Sequence, residues 1–162
     1  MRARILVAED HQINWTLAEL LLSRRGHSAD HAKDGHQALA MLERGAYELV
    51  FMDCRMPGLD GYQTAREIRR REASDPRWRV AIVAMTANAS EADRRRCLAA
   101  GMDDYIGKPI SFEALDETLE RWLPERRHVP ALDEARLNEL RRVLSPDELA
   151  ALLSKLVAEV EG

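Results

Sequence analysis

The sequence predicts an α/β domain, a parallel five-stranded sheet covered by helices on both faces, followed by a helical tail. Three observations predict it. Short apolar runs alternate strictly with amphipathic stretches over residues 1–123, the order that builds βα units. The strongest runs, Ile5-Leu6-Val7-Ala8, Leu49-Val50-Phe51-Met52 and Val80-Ala81-Ile82-Val83-Ala84-Met85, are apolar almost throughout, as strands buried on both faces require. Each run then ends in a polar side chain: Glu9-Asp10, Asp53 and Thr86.

The elements follow in order. After the first strand, Ile13, Leu17, Leu20 and Leu21 fall at helical spacing and predict a helix over 13–25 with those residues inward. Gly26 stops it. A weaker strand over 28–32 leads through Asp34-Gly35 to a helix carrying Ala38, Leu39 and Leu42, ended by Gly45. The strand over 49–52 opens into a loop containing Met56-Pro57-Gly58 and Asp60-Gly61, then a helix over 62–72. The strand over 80–85 precedes a helix over 90–100 closed by Gly101. A short strand, Asp104-Tyr105-Ile106, runs into Lys108-Pro109, and a last helix from Ser111 carries Phe112, Leu115, Leu119 and Trp122 on one side.

Residues 124–131, charged and bounded by Pro124 and Pro130, read as a linker. Residues 132–162 read as two helices. The first carries Leu137, Leu140 and Leu144; the second opens on Ser145-Pro146-Asp147-Glu148, an N-cap, a first-turn proline and a capping box. Its Leu149, Leu152, Leu153, Leu156, Val157 and Val160 form an apolar stripe that two helices alone cannot bury, so it should pack on the rest of the chain or on a second copy, as in a homodimer.

Composition narrows the function. Hydrophobic residues are 46% and charged residues 32%, enough for a core and a wet surface. No apolar run spans a membrane, and Glu9-Asp10 arrive too early for a signal peptide. A net charge of −4, with 24 basic against 28 acidic residues, speaks against nucleic-acid binding by bulk charge. The triplets Arg69-Arg70-Arg71 and Arg94-Arg95-Arg96 read as solvated helix faces, and the five histidines as surface or packing residues. Cys54 and Cys97 suggest neither a disulfide framework nor zinc. A cytoplasmic location without membrane contact by this segment is expected.

In doubly wound sheets, ligands bind beyond the carboxyl ends of the strands. Glu9, Asp10, Asp53, Thr86 and Lys108 all fall on that rim. Three converging carboxylates repel one another unless a cation joins them, and magnesium takes one or two carboxylates while keeping waters. Lys108 suits a phosphoryl oxygen as a point charge, and the Thr86 hydroxyl can donate to another. Lysine is scarce, only Lys33, Lys108 and Lys155 among 24 basic residues, so one before a proline at a strand end is unlike a random surface charge. Together these side chains make a site for in-line phosphoryl transfer onto an aspartate.

The matching segments are Ile5-Leu6-Val7-Ala8-Glu9-Asp10 with Asn14, Met52-Asp53-Cys54-Arg55-Met56-Pro57 with Asp60-Gly61, Val83-Ala84-Met85-Thr86-Ala87-Asn88-Ala89, Ala100-Gly101-Met102-Asp103-Asp104-Tyr105, and Lys108-Pro109-Ile110. In these segments the chain resembles the receiver domain of two-component response regulators, particularly receivers of hybrid histidine kinases. The resemblance implies a flavodoxin-like sheet of order 2-1-3-4-5 over 1–123 and a phosphorelay role. Asp53 would be the phosphoacceptor. Mg2+ (or Mn2+) would lie on Asp10, Asp53 and the backbone carbonyl of Arg55, with Glu9 acting through water. Thr86 and Lys108 would contact the phosphoryl group, and Tyr105 would turn inward as Thr86 moves. Arg55 and Asn88 match positions that tune phosphoryl lifetime, and Lys108-Pro109 matches a cis peptide. The implied partner is a histidine kinase or a histidine phosphotransfer domain.

Two departures stand out: Trp15, where a smaller or charged residue is usual, and a long connection over 69–79. Neither is expected to touch the rim. The tail from Leu132 resembles the beginning of a histidine phosphotransfer domain without its histidine motif, as in an excised piece of a longer hybrid kinase. Over 124–162 it carries six basic and eight acidic residues, unlike a DNA-binding output. A single-domain regulator and a phosphorylation-independent scaffold are the alternatives; a scaffold's signature would be loss of an acid, the threonine or the lysine, and all are retained. A phosphoester hydrolase on a similar sheet would need a second acid two residues after the nucleophile, where this chain has Arg55.

Overall fold

The computed structural model describes residues 3–123 and 145–147, and the compact unit containing the first of these is Met1–Arg127. Five strands, β1 (Arg4–Ala8), β2 (Ser28–Ala32), β3 (Leu49–Asp53), β4 (Ala81–Thr86) and β5 (Asp104–Gly107), alternate with α1 (Gln12–Arg24), α2 (Gly35–Arg44), α3 (Gly61–Ser74), α4 (Glu91–Ala99) and α5 (Phe112–Trp122). All strand pairs are parallel and the order is β2-β1-β3-β4-β5. The expected fold class and strand order are found. The long connection expected over 69–79 is in part helix, because α3 continues to Ser74, and what remains holds a 3-10 turn, Pro76–Trp78, capped by the Asp75 side chain. The linker and tail expected over 124–162 lie outside the described residues except for 145–147.

Because strand side chains alternate, β1 feeds two cores. Leu6 and Ala8 join Ala38, Leu39, Ala65, Ile68 and Cys97 of α2, α3 and α4. Ile5 and Val7 join Trp15, Ala18, Leu22, Leu115 and Leu119 of α1 and α5. The sheet is thus covered by three helices on one side and two on the other. Helix starts follow local chemistry: Asp34, Asp60, Ser90 and Ser111 each accept a backbone N–H as N-cap, and Asp60 with Gln63 completes a capping box.

The expected apolar face of α1 is found only in part, with Leu21 buried and Leu17 packed against the core. In α1 the buried residues are Trp15, Ala18, Leu21 and Leu22, while Ile13 and Leu20 are 83% and 52% exposed. Apolar residues nearly encircle this helix, so spacing alone admits two stripes. The large Trp15 ring decides between them. The arginine triplet of α3 also needs correction, because Arg69 is not a solvated charge. Its guanidinium donates to Gly101 O at 2.7 Å, Val80 O at 3.0 Å and Asp103 Oδ2 at 2.7 Å. Gly101, at φ +94°, turns the chain where an added Cβ would lie 2.6 Å from Arg69 Cγ.

Candidate functional site

The carboxyl ends of β1, β3, β4 and β5 bring the predicted rim residues to one cleft. β1 delivers Glu9 and Asp10, β3 ends in Asp53, β4 ends in Thr86, and Lys108 follows β5. Gly61 lets α3 start directly beneath: a Cβ there would meet Asp53 O at 2.1 Å. The Lys108–Pro109 peptide is cis.

One carboxylate oxygen from each of Glu9, Asp10 and Asp53 lies within 4.8 Å of the other two. Glu9 is 1% exposed and Asp53 5%. Lys108 Nζ bridges them, 2.7 Å from Glu9 Oε2 and 3.0 Å from Asp53 Oδ2. Glu9 is therefore more than an outlying acid, since it pairs directly with the lysine. Its other oxygen accepts from His11 N at 3.1 Å and from Asn14 Nδ2 at 3.4 Å. Asp53 Oδ1 accepts from Arg55 N at 3.1 Å. Burial pushes the Asp53 carboxyl up to about 6, against the hydrogen bonds from Arg55 and Lys108; the nearby Glu9 charge adds to the rise. Burial opposes the charge of Lys108, but its bonds to Glu9 and Asp53 outweigh that and hold its pKa above the ordinary value.

The donor set fits a hard divalent ion. Among the described residues, three acids face the Lys108 ammonium, and Asp10 Oδ1 is buried with no hydrogen-bond partner. An oxygen desolvated without a donor is costly, and a cation with oxygen-rich coordination would satisfy it.

Other expected residues stand somewhat apart. The Thr86 hydroxyl donates to Asn88 O at 2.9 Å, not to Asp53. Tyr105 is half-buried against the core beneath α4. Three features were absent from the sequence reading. Cys54 and Cys97, 43 residues apart, touch with sulfurs at 3.8 Å. His31 reaches the Glu9 carbonyl. Trp15, expected to stand clear of the rim, stacks on that histidine. None has a spacing signal, because each contact joins different elements of the fold.

A doubly wound sheet carrying a buried aspartate, two further acids, a hydroxyl and a lysine on one rim defines a domain of the phosphoacceptor class. Residues 5–120 match the response regulator receiver domain, and the chain belongs to that family. The sensor protein GacS of Pseudomonas syringae pv. syringae is 34% identical over 178 residues, an overlap covering 98% of this chain and 20% of that protein. Among solved structures, the receiver domain of sensor histidine kinase PA1611 from Pseudomonas aeruginosa PAO1 has a magnesium ion coordinated in its active site cleft. It is 42% identical, covers 76% of this chain and 99% of its own, and has a TM-score of 0.68. A chain in the co-crystal structure of the Saccharomyces cerevisiae histidine phosphotransfer protein Ypd1 with the receiver domain of Ssk1 is 31% identical. It covers 80% of this chain and 94% of its own, with a TM-score of 0.72. The chain spans only 16%, 8% and 20% of three curated relatives. Among the described residues, no helix is long and apolar enough to cross a membrane.

Proposed function

We propose that this chain is the phosphoacceptor of a phosphorelay, within a hybrid sensor histidine kinase, and that Asp53 takes the phosphoryl group from a phosphohistidine. The observation that carries this reading is the buried Asp53 carboxylate, held 3.0 Å from Lys108 Nζ beside two further acids. An Asp53 oxygen attacks phosphorus, the P–O bond forms as the P–N bond breaks, and the departing imidazole nitrogen keeps the electron pair. Lys108 is positioned to follow one phosphoryl oxygen. Thr86 exchanges its bond to Asn88 O for another, and Tyr105 moves into the space that this vacates.

Asp10, Asp53 and the Arg55 carbonyl would hold Mg2+ (or Mn2+), with Glu9 acting through water. When bound, the ion supplies charge neutralisation for the phosphoryl oxygens. The cation-bound receiver PA1611 supports this assignment by similarity.

The partner is a histidine kinase or phosphotransfer domain. The exposed Ile13 and Leu20 on α1, the helix leaving the cleft, provide its apolar footing. The tail over 132–162 is proposed as the start of a histidine phosphotransfer domain, with a homodimer as the other way to cover its stripe. The GacS match, which extends across 98% of the chain, supports continuity beyond the receiver. A cytoplasmic location is part of the same proposal.

Acetyl phosphate with Mg2+ tests the central claim. Intact mass should rise by one phosphoryl group on the wild type and stay unchanged for Asp53→Asn. A wild type that gains no mass, even from a phosphorylated histidine partner, would defeat it.

A further inference from the structure

The three acids of the cleft are not oriented alike. Asp53 is fixed by Arg55 N–H, and Glu9 by His11 N–H and Asn14. Asp10 has no such support among the described residues. Its Oδ1 is buried without a partner, and Oδ2 lies 3.7 Å from His11 Nδ1, beyond hydrogen-bond reach. The aim of Asp10 is therefore inherited from its backbone.

That backbone is clamped. Glu9 N–H donates to Ala32 O at 3.0 Å, and Glu9 O accepts from His31 Nε2 at 2.7 Å. A carbonyl oxygen only accepts, so Nε2 carries the hydrogen. The Glu9 carbonyl and the Asp10 nitrogen share one planar peptide, so a donor on that oxygen sets the plane from which the Asp10 side chain departs. The imidazole is itself held. His31, in β2 opposite Val7, stacks on Trp15 with ring centroids 4.4 Å apart and planes 3° from parallel. Trp15 is buried in α1, which begins two residues after Asp10. Edge strand, first helix and cleft loop are thereby joined through one ring pair.

We propose that His31, held flat by Trp15, is a positioning residue for the cation site, aiming Asp10 through the Glu9–Asp10 peptide. This rests on reading the cleft as a divalent-cation site. His31 does not touch the ion or the reacting atoms; it fixes the geometry of a ligand, as outer partners of metal ligands do.

Mn2+ alone is the probe, followed by loss of the free-ion electron paramagnetic resonance signal on titrating the full chain. His31→Leu keeps apolar contact with Trp15 but lacks the donor. In His31→Gln the amide Nε2 lies the same number of bonds from Cα and can still donate. His31→Leu should raise the Mn2+ dissociation constant about tenfold, and His31→Gln should stay near wild type. Trp15→Leu, which frees the ring, should fall between them and serves if His31→Leu does not fold. Thermal unfolding in chelator checks folding independently. Equal Mn2+ affinity in wild type, His31→Leu and Trp15→Leu would overturn the positioning role. A wild type that binds no Mn2+ would instead overturn the reading of the cleft.

Discussion

Lys108 Nζ lies 3.0 Å from Asp53 Oδ2, and the same ammonium holds Glu9 Oε2 at 2.7 Å. One lysine thus offsets two buried carboxylates. Removing it leaves charges with little water and no counter-ion. Lys108→Met should lower metal-free stability at pH 7.5 by about 2 kcal/mol or more. The loss should be smaller at pH 5, where Asp53 takes up a proton. Urea unfolding in chelator at the two pH values measures both; equal losses would show that Asp53 does not share the lysine's charge.

The raised pKa of Asp53 makes a second, signed prediction. Its carboxyl sits at about 6 in the folded chain against an ordinary 3.8, chiefly through burial. Between these values the unfolded chain releases the proton while the folded chain keeps it. The contribution of Asp53 to metal-free stability is therefore fully present below about pH 4 and lost as pH rises through about 6. The loss is about 2–3 kcal/mol. Asp53→Asn should flatten this part of the profile and raise the unfolding midpoint at pH 7.5. A variant that loses stability over the same window as the wild type would place the titration elsewhere.

Cys54 and Cys97 are both buried, 4% and 1% exposed. The Cys54 thiol is pushed up to about 12, first by burial and then by its neighbours Cys97 and Asp53, with Tyr62 opposing. Thiolate is the reactive form. Iodoacetamide at pH 8 should leave Cys54 and Cys97 unmodified in the folded protein, and should label both in denaturant. Intact mass distinguishes the two, and prompt labelling of the native chain would contradict so deeply protected a pair.

What the sequence made legible was whatever repeats with a period or closes a strand. The parallel sheet and the gathering of Glu9, Asp10, Asp53, Thr86 and Lys108 follow from βα alternation, because parallel strands put their ends on one rim, whereas the strand order came from the family resemblance. The inward face of α1 was not legible, since Ile13 and Leu20 fit helical spacing as well as Trp15 and Leu22 do. Only packing against β1, β3 and α5 separates them. Contacts across elements were invisible for the same reason. His31 to Glu9, Cys54 to Cys97 and Arg69 to Gly101 are 22, 43 and 32 residues apart, and no local pattern encodes such distances.

Adjacent arginines in α3 provide a contrast between a structural and a solvated charge. Arg69 ties α3 to the start of β4 and to the α4–β5 turn: it binds Gly101 O, Val80 O and Asp103, whose carboxylate also accepts from Ile82 N at 2.7 Å. Truncation strands two part-buried carbonyls and removes the cation paired with the exposed Asp103 carboxylate. Arg70, 70% exposed, pairs with Glu67 on the helix surface, where such pairs contribute little. Arg69→Ala should cost about 2–3 kcal/mol, and Arg70→Ala no more than about 0.5 kcal/mol. Both follow from urea unfolding of single variants at pH 7.5. Equal, small losses would mean that the Arg69 bridge contributes no more than its exposed neighbour, and that the α4–β5 turn is held by Gly101 and the backbone alone.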